Sequence, residues 1–268
     1  MPAKPQILLT NDDGIESPGL WAAAEALSPL GYVNVVAPRD QQSGTGRSLP
    51  DASDGIIDVQ KIHVKDQPWT VYAVGGTPAQ AVLHAAHEIL DSIPALVVAG
   101  INYGENVGNG VTISGTIGAA LEGAALGIPA LAVSLEMPGD YHLSYSREID
   151  FSAAAHFTSA FARSLLQQGL PFDVDLLKVD VPSDATRDTP WALTRVSPIR
   201  YYETLPPRRE RWDTPGKLGY QQVSLPENHP PDSDVYTLRV RRQVAVTPLS
   251  LDLTSRVDFG DLEILLRK

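Results

Sequence analysis

The sequence predicts an α/β fold built on a mostly parallel sheet, followed by a β-rich segment. Short apolar runs alternate with stretches of helical period: Ile7–Leu9 precedes such a stretch, and Tyr32–Ala37 follows it. Units of this kind place their strands parallel, with a right-handed crossover. After about residue 185, proline, arginine and aromatic residues become frequent and alternation replaces the helical period. We therefore predict a core over residues 1–185 and a β-rich C-terminal arm over 186–268 packed on it; one structural domain overall is the open alternative.

The composition limits the class of protein. The chain has 268 residues, 43% of them hydrophobic, which is enough for a buried core, and it has no cysteine for disulfides or zinc–thiolate sites. It contains no run of roughly 18 apolar residues and no secretory apolar region near the N-terminus. We therefore expect a cytoplasmic protein with no membrane partner. The net charge of −11 disfavours a nucleic acid polymer as a partner.

Local signals predict the other elements. Ser17-Pro18 and Thr77-Pro78 each combine an N-cap residue with a proline at the first helical position. Further helices are predicted at Ala79–Leu90, Ile117–Leu126 and Asp150–Gln168, and strands at Ile56–Val64, Trp69–Val74, Ala95–Ala99, Ala130–Leu135 and Leu176–Val181. In the arm, the alternating run Val235–Val246 is expected to pair with Tyr220–Leu225 as an extended hairpin. An arm without its own core usually packs on another subunit.

Three polar, glycine-rich loops leave predicted strand ends, namely Asn11–Gly14, Arg39–Ser48 and Gly100–Thr112. In open α/β sheets, ligands bind beyond the carboxyl ends of the strands. We therefore expect the three loops to converge on one site.

Asp12 and Asp13 are the charged residues of that site. Adjacent carboxylates repel each other unless a proton or a cation separates them. A hard cation such as Mg²⁺ or Mn²⁺ prefers oxygen ligands, and Ser43 and Asn102 would add neutral oxygens. Taken alone, the Asn-Asp-Asp-Gly sequence is more typical of a turn. The two neighbouring loops favour a metal site.

A helix start at Ser114-Gly115-Thr116 offers free N–H groups and the positive end of a helix dipole to an anion. A phosphate group would bind there without a lysine, although serine and threonine are also ordinary N-cap residues. Asn106 either shapes the same pocket or adopts a left-handed turn conformation.

Other catalytic chemistries find no support. The six histidines are scattered, and none lies in the three loops. Ser17, Ser43 and Ser114 lack the strand–turn–helix context of a nucleophilic serine. The pattern therefore favours metal-assisted phosphate chemistry over a Ser-His-Asp triad.

Seven segments of the chain resemble the SurE family, also called survival protein E. They are Leu9–Leu20, Ala37–Leu49, Gly76–Ala79, Leu96–Gly123, Gly127–Ser134, Leu177–Pro182 and Val244–Leu249. The resemblance covers most of the chain, and Asn-Asp-Asp-Gly combined with Ser-Gly-Thr is highly specific. It implies a phosphomonoesterase that hydrolyses nucleoside monophosphates, a 5′/3′-nucleotidase, with exopolyphosphatase activity in some members.

The resemblance also assigns roles to residues. It implies divalent metal binding by Asp12, Asp13, Ser43 and Asn102. It places Asn11, Gly44, Asn106, Ser114, Gly115 and Thr116 around the phosphate. We take Asp12 as the candidate to orient or deprotonate the attacking water, and Asp13 mainly as a ligand. The implied fold is a Rossmann-like three-layer core, with a C-terminal part exchanged between subunits of a homodimer or homotetramer.

The chain departs from the family pattern at four places, none of them a proposed ligand. Arg39-Asp40 reverses the common order, Arg47 stands where a histidine is frequent, Gln80 replaces an aspartate or cysteine, and Asp180 replaces an asparagine. Two other hypotheses stay open. One is a phosphatase that forms an aspartyl-phosphate on Asp12 or Asp13. The other is a non-catalytic nucleotide-binding protein that assembles through its arm.

Overall fold

A computed structural model describes residues 4–64, 67–138, 141, 146, 148–223 and 229–267. The strands in this part of the chain are β1 (Gln6–Thr10), β2 (Tyr32–Pro38), β3 (Ile57–Val64), β4 (Gln67–Val74), β5 (Leu96–Tyr103), β6 (Ala130–Leu135), β7 (Leu176–Val181), β8 (Trp191–Leu193), β9 (Tyr202–Leu205), β10 (Gly219–Gln222) and β11 (Val244–Leu249). The α-helices are α1 (Pro18–Leu27), α2 (Pro78–His84), α3 (Gly115–Ala125), α4 (Ser152–Gln168), α5 (Asp234–Arg239) and α6 (Phe259–Leu266). A π-helical turn, Ala85–Ile89, continues α2.

Nine strands form one sheet in the order β3-β4-β2-β1-β5-β6-β7-β11-β8. The strands from β4 to β7 in this order are parallel. Strand β3 pairs antiparallel with β4, and β11 pairs antiparallel with β7 but parallel with β8. Helices α1 and α4 pack on one face through Leu20 and Phe157, and α2 and α3 pack on the other through Val82 and Ile117. The predicted three-layer α/β fold with a mostly parallel sheet is therefore confirmed.

The order of the central strands places a topological switch point between β1 and β5. The chain leaves β1 through α1 to reach β2 on one side, and it later returns through α2 to β5 on the other side. The loops after β1 and β5 therefore turn away from each other and leave a crevice at their carboxyl ends. Asp12 and Asp13 follow β1 at this crevice, and Asn102 lies near the end of β5.

Strand β5 extends four residues beyond the predicted end at Ala99. Its pairing with β6 shifts register between Ala99 and Asn102, as at a β-bulge. Gly100 makes this possible, since its φ is +126° and a Cβ there would lie 2.2 Å from the Val133 carbonyl oxygen. The prediction of a loop from Gly100 to Thr112 is therefore wrong at both ends, because β5 continues to Tyr103 and residues Gly108–Thr112 form a 3₁₀ turn.

The C-terminal segment corrects a second prediction. Val235–Val246 is not a hairpin strand, because Asp234–Arg239 forms α5 and Val244–Leu249 forms β11 beside β7. Val235 and Leu238 are three positions apart, so a strand would place them on opposite faces, whereas a helix places them on one face. Both are buried. Ser233 caps the helix by accepting the Tyr236 N–H.

A hairpin is nevertheless present. Strands β9 and β10 form it, with Tyr220 opposite Thr204, whereas Ser224 and Leu225 of the predicted partner strand lie outside the described residues. The segment after residue 186 thus supplies both this hairpin and two strands of the main sheet. Its role as an oligomerisation arm stays a prediction. None of the described helices is long and apolar enough to cross a membrane.

Candidate active site

The structure brings the three predicted loops together at the switch point. The Gln42 N–H donates to the Asp12 carbonyl oxygen at 2.7 Å, which holds the loop after β2 against the end of β1. A cavity of about 600 Å³ opens there. Six of the predicted site residues line it: Asp12, Ser43, Gly44, Asn102, Asn106 and Ser114.

The carboxylate of Asp12 lies against the first turn of α3. Its Oδ1 accepts a hydrogen bond of 2.5 Å from the Thr116 hydroxyl. Gly115 permits this approach, because a Cβ at that position would lie 2.7 Å from the Asp12 Cβ. Burial raises the pKa of Asp12, and the hydrogen bonds from Thr116 and from the Gly115 backbone oppose that rise. The first turn of α3 therefore contacts the carboxylate of Asp12 directly.

Asp13 is only 2% exposed, and both of its oxygens are engaged. Gln41 donates to Oδ1 at 3.2 Å, and the Tyr103 N–H donates to Oδ2 at 3.0 Å. Burial, followed by the negative charge of Asp12, raises the pKa of Asp13 well above its ordinary value. Two buried carboxylates repel each other unless a proton or a cation separates them.

Two residues with neutral oxygens, Asn102 and Ser43, line the same cavity as Asp12. The Asn102 amide nitrogen donates to the Gly104 carbonyl at 2.7 Å, so the amide oxygen is the group left for the cavity. Ser43 lies exposed at the cavity rim. No group of three or more His, Cys, Asp or Glu side chains suitable for a metal occurs among the described residues. The residues present therefore fit a hard cation bound by carboxylate and neutral oxygens.

The predicted phosphate residues separate into two groups. Ser114 lines the cavity at the N-terminus of α3, where its Oγ accepts the Ile117 N–H at 3.2 Å. Gly115 and Thr116 instead contact Asp12 and are buried. Asn11 is fully buried and uses both ends of its amide on Gly14, so it shapes the turn that carries the aspartates.

Asn106 is held from two sides. Its backbone N–H donates to Asp180 at 2.7 Å, and its side-chain NH₂ donates to the Ser134 hydroxyl at 2.8 Å. Because a hydroxyl both donates and accepts, the amide rotated by 180° keeps this contact and presents its NH₂ group to the cavity. Asp180 is itself bound by Lys178, whose ammonium also lies 3.0 Å from Asp234. The unusual Asp180 therefore belongs to a buried ionic network behind the site.

Sequence reasoning missed the far wall of the cavity. This wall consists of Glu105, of residues in the β9–β10 hairpin and of residues just before it. Among them are Arg200, Tyr201, Tyr202, Thr204 and Tyr220. Glu105 had one signal, since it is the acidic residue of a loop already singled out. The hairpin residues lie about a hundred positions away and follow no recognisable motif. Gln41 and the Tyr103 backbone, which bind Asp13, carried no signal either.

Comparisons with known proteins give consistent results. The family model described as "Survival protein SurE" matches residues 7–203. The 5′-nucleotidase SurE of Thermococcus gammatolerans is 44% identical over 262 residues, which span 97% of this chain and 96% of that protein. Its counterpart in Thermococcus kodakarensis is 41% identical over 265 residues, which span 97% and 98%.

Among solved structures, the SurE protein from Aquifex aeolicus is 32% identical with a TM-score of 0.75. The match covers 98% of this chain and all of that one. Sequence and fold agree over nearly the whole length, and the chain belongs to the SurE family.

Proposed function

We propose that this protein is a divalent-metal-dependent phosphomonoesterase that hydrolyses nucleoside monophosphates. One observation carries the proposal: the adjacent carboxylates of Asp12 and Asp13 are buried at the switch point, where a bound cation would offset their repulsion. The cavity beside them, about 600 Å³, has the size of a small-molecule site. The Thermococcus relatives, named 5′-nucleotidases, support the same activity.

The metal would be held by Asp12, Asp13, Ser43 and Asn102. When bound, Mg²⁺ or Mn²⁺ supplies a Lewis acid for a phosphoryl oxygen and lowers the pKa of a coordinated water. Asp12 lines the cavity and is the group that orients the attacking water and accepts its proton, with Thr116 fixing its direction. Asp13 does not line the cavity and serves as a ligand.

The phosphate would lie between Asn106 and the N-terminus of α3. Ser114 begins an eleven-residue helix, whose free N–H groups and dipole stabilise negative charge. Asn106 lies on the opposite loop, with its backbone N–H held by Asp180; its side-chain NH₂, which here donates to Ser134, becomes a donor to the phosphate when the amide rotates by 180°. Preorganised donors of this kind lower the energy of a phosphoryl transition state.

The aspartyl-phosphate alternative requires a carboxylate oxygen that is free to attack phosphorus. Both oxygens of Asp13 accept hydrogen bonds, and Oδ1 of Asp12 is bound by Thr116. No lysine lines the cavity in the described part of the chain. These contacts favour attack by water.

The decisive experiment measures phosphate release from 5′- and 3′-nucleoside monophosphates and from polyphosphate, with EDTA and with Mg²⁺, Mn²⁺ or Zn²⁺. We expect release from nucleotides with Mg²⁺ or Mn²⁺ and none with EDTA. Full turnover by Asp12→Asn at saturating metal would refute its role. A trapped phospho-enzyme would revive the aspartyl-phosphate route, and metal-dependent nucleotide binding without any release would favour the non-catalytic one.

Assembly as a homodimer or homotetramer is also proposed. In the C-terminal segment, α6 buries no residue, and Phe259, Ile264 and Leu266 are 66%, 62% and 76% exposed. A largely apolar helix of this kind is typical of a segment that packs on another subunit. The cytoplasmic location stays a prediction.

A further inference from the structure

Glu105 is a buried carboxylate in the cavity wall that the proposed hydrolysis does not use. Glu105 is only 6% exposed. One oxygen, Oε1, accepts a hydrogen bond of 2.7 Å from the Tyr202 hydroxyl. The other, Oε2, is buried and has no hydrogen bond of normal geometry with any described residue, although the Tyr201 hydroxyl interacts with the same carboxylate. A buried carboxylate oxygen without a donor is unfavourable, so Glu105 is suited to a ligand that supplies one.

The position of Glu105 relative to the charged centre limits that ligand. Asn102 lies three residues earlier in the chain, which places the two Cα atoms within about 10 Å of each other. On its other side, Glu105 contacts the tyrosine cluster, defined here as Tyr201, Tyr202 and Tyr220. Tyr202 meets Tyr201 and Tyr220 edge to face, with centroids 4.8 and 5.5 Å apart. Asp12, Glu105 and the tyrosine cluster thus all line the same cavity, with Glu105 joined to both the β5 loop and the tyrosines.

A nucleoside monophosphate has the same order of chemical groups. Its phosphate fits the centre at Asp12, its base can stack on a tyrosine ring, and its ribose lies between them. A carboxylate accepts hydrogen bonds and donates none, and the ribose offers two adjacent hydroxyl donors. Hydrogen bonds to a charged acceptor are stronger than neutral ones. Negative charge at Glu105 also disfavours a phosphate at this position, which fixes the direction of the substrate.

On the basis of the nucleotidase function proposed above, we propose that Glu105 determines substrate specificity by accepting hydrogen bonds from the ribose hydroxyl groups of the nucleotide. The tyrosine cluster forms the adjoining base subsite. Burial, together with the charge of Glu105, raises the pKa of Tyr202, so its phenol stays protonated and continues to orient Oε1. Oε2 is then the oxygen that the substrate engages.

Steady-state kinetics with Mg²⁺ test this assignment on AMP, 2′-deoxy-AMP, 3′-deoxy-AMP, IMP and p-nitrophenyl phosphate. For the wild type, we expect kcat/KM for AMP to exceed that for at least one deoxy analogue about ten-fold, mainly through KM. IMP, which lacks the exocyclic amine of adenine, should behave like AMP. In Glu105→Gln, the ratio of AMP to the discriminated analogue should fall close to one.

Two further variants complete the design. Glu105→Asp keeps the charge but withdraws the carboxylate by one methylene, so it should lose the same discrimination. Glu203→Gln removes an exposed carboxylate on the same hairpin and should keep the wild-type ratio. Thermal unfolding of each variant shows whether it is folded.

Several results would overturn the assignment. One is that the wild type hydrolyses AMP and both deoxy analogues equally. Another is that Glu105→Gln reduces the turnover of AMP and of p-nitrophenyl phosphate by the same factor. Discrimination against IMP alone would identify the base amine as the donor and exclude the ribose. If no substrate released phosphate with any metal, the proposed function itself would fail, which distinguishes that failure from an error about Glu105.

Discussion

The hydroxyl group of Thr116 donates a hydrogen bond of 2.5 Å to Oδ1 of Asp12. Thr116 is fully buried, and Asp12 is 5% exposed. The contact joins the first turn of α3 to the end of β1, and it leaves Asp12 with one defined orientation toward the cavity. A threonine that resembles an ordinary helix-start residue therefore acts as the positioning residue of the candidate site.

Replacing Thr116 by valine keeps the shape of the side chain and removes this donor. We expect kcat/KM for a nucleoside monophosphate to fall about ten-fold or more, which corresponds to about 1.4 kcal/mol of transition-state stabilisation. Thr158→Val is the matched control, because the Thr158 hydroxyl is also buried but donates to Ala154 within α4. Unchanged kinetics in Thr116→Val would contradict the positioning role.

Asp13→Asn tests the repulsion between the two buried aspartates. In the absence of metal, we expect the midpoint of thermal unfolding to rise by about 2–4 °C for each kcal/mol of repulsion removed. The additional rise that Mg²⁺ produces in the wild type should largely disappear, because binding stabilises only through differential affinity for the folded state. Asp91→Asn, at an exposed position, should change neither quantity. A variant that kept the full Mg²⁺ effect would exclude Asp13 as a ligand.

Lys178→Met tests the ionic network behind Asn106. Lys178 lies between Asp180 and Asp234, and all three side chains are completely buried. Removing the ammonium leaves two uncompensated carboxylates, so we expect a loss of roughly 3–5 kcal/mol in the free energy of unfolding, measured by chemical denaturation. The double change with Asp180→Asn should recover part of it. Lys61→Met, at an exposed position, should stay within about 0.5 kcal/mol of the wild type.

The contact between Arg242 and Glu136 predicts a pH dependence. Their closest atoms are 2.7 Å apart, and the Glu136 side chain is 8% exposed. Burial raises the pKa of Glu136, but hydrogen bonds from Arg242 and Ser183 and the charge of Arg242 outweigh it and hold the pKa below its ordinary value of 4.5. The stability from this carboxylate is therefore complete above the unfolded-state pKa and is lost as the pH falls through the folded-state pKa.

Arg242→Gln should accordingly lose roughly 1.5–3 kcal/mol of unfolding free energy at neutral pH. Denaturation should be measured at several pH values. The difference in unfolding free energy between the variant and the wild type should shrink once the pH falls below the pKa of this glutamate in the unfolded state. Arg211→Gln is the comparison, since its pair with Asp213 is exposed and should contribute little at any pH. A difference that grew on acidification would have the wrong sign for this explanation.

Introducing two negative charges on α6 tests whether this helix forms the predicted subunit contact. Ile264 and Leu265 are 62% and 66% exposed, and we expect Ile264→Asp combined with Leu265→Asp to reduce the molar mass in light scattering to that of one chain. Ile93→Asp places a charge on an equally exposed apolar residue outside this helix and should leave the mass unchanged. A wild type that is already monomeric would exclude the predicted assembly.

The sequence alone determined the α/β class, the first two β-α-β connections and the residues at the strand ends. These features depend on local pattern: buried parallel strands are apolar throughout, Pro and N-cap residues mark helix starts, and adjacent aspartates after a strand signal a charged site. The prediction for Val235–Val246 was wrong because the run as a whole alternates, whereas Val235 and Leu238 at its start are three positions apart and suit one face of a short helix. Packing of α5 against β11 and β7 and the ionic contact of Asp234 with Lys178 favour the helix.

Only the tertiary structure decided which side chains face the cavity. Gly115 and Thr116 turned toward Asp12, Asn11 toward its own turn, and Glu105 with the hairpin tyrosines formed a wall that no motif indicated. Sequence spacing records which residues are near each other along one element, whereas the contacts of Thr116 with Asp12 and of Tyr202 with Glu105 join positions about a hundred residues apart. Their geometry depends on the order of strands in the sheet and on how closely the helices pack on it, and neither quantity is encoded in a local pattern.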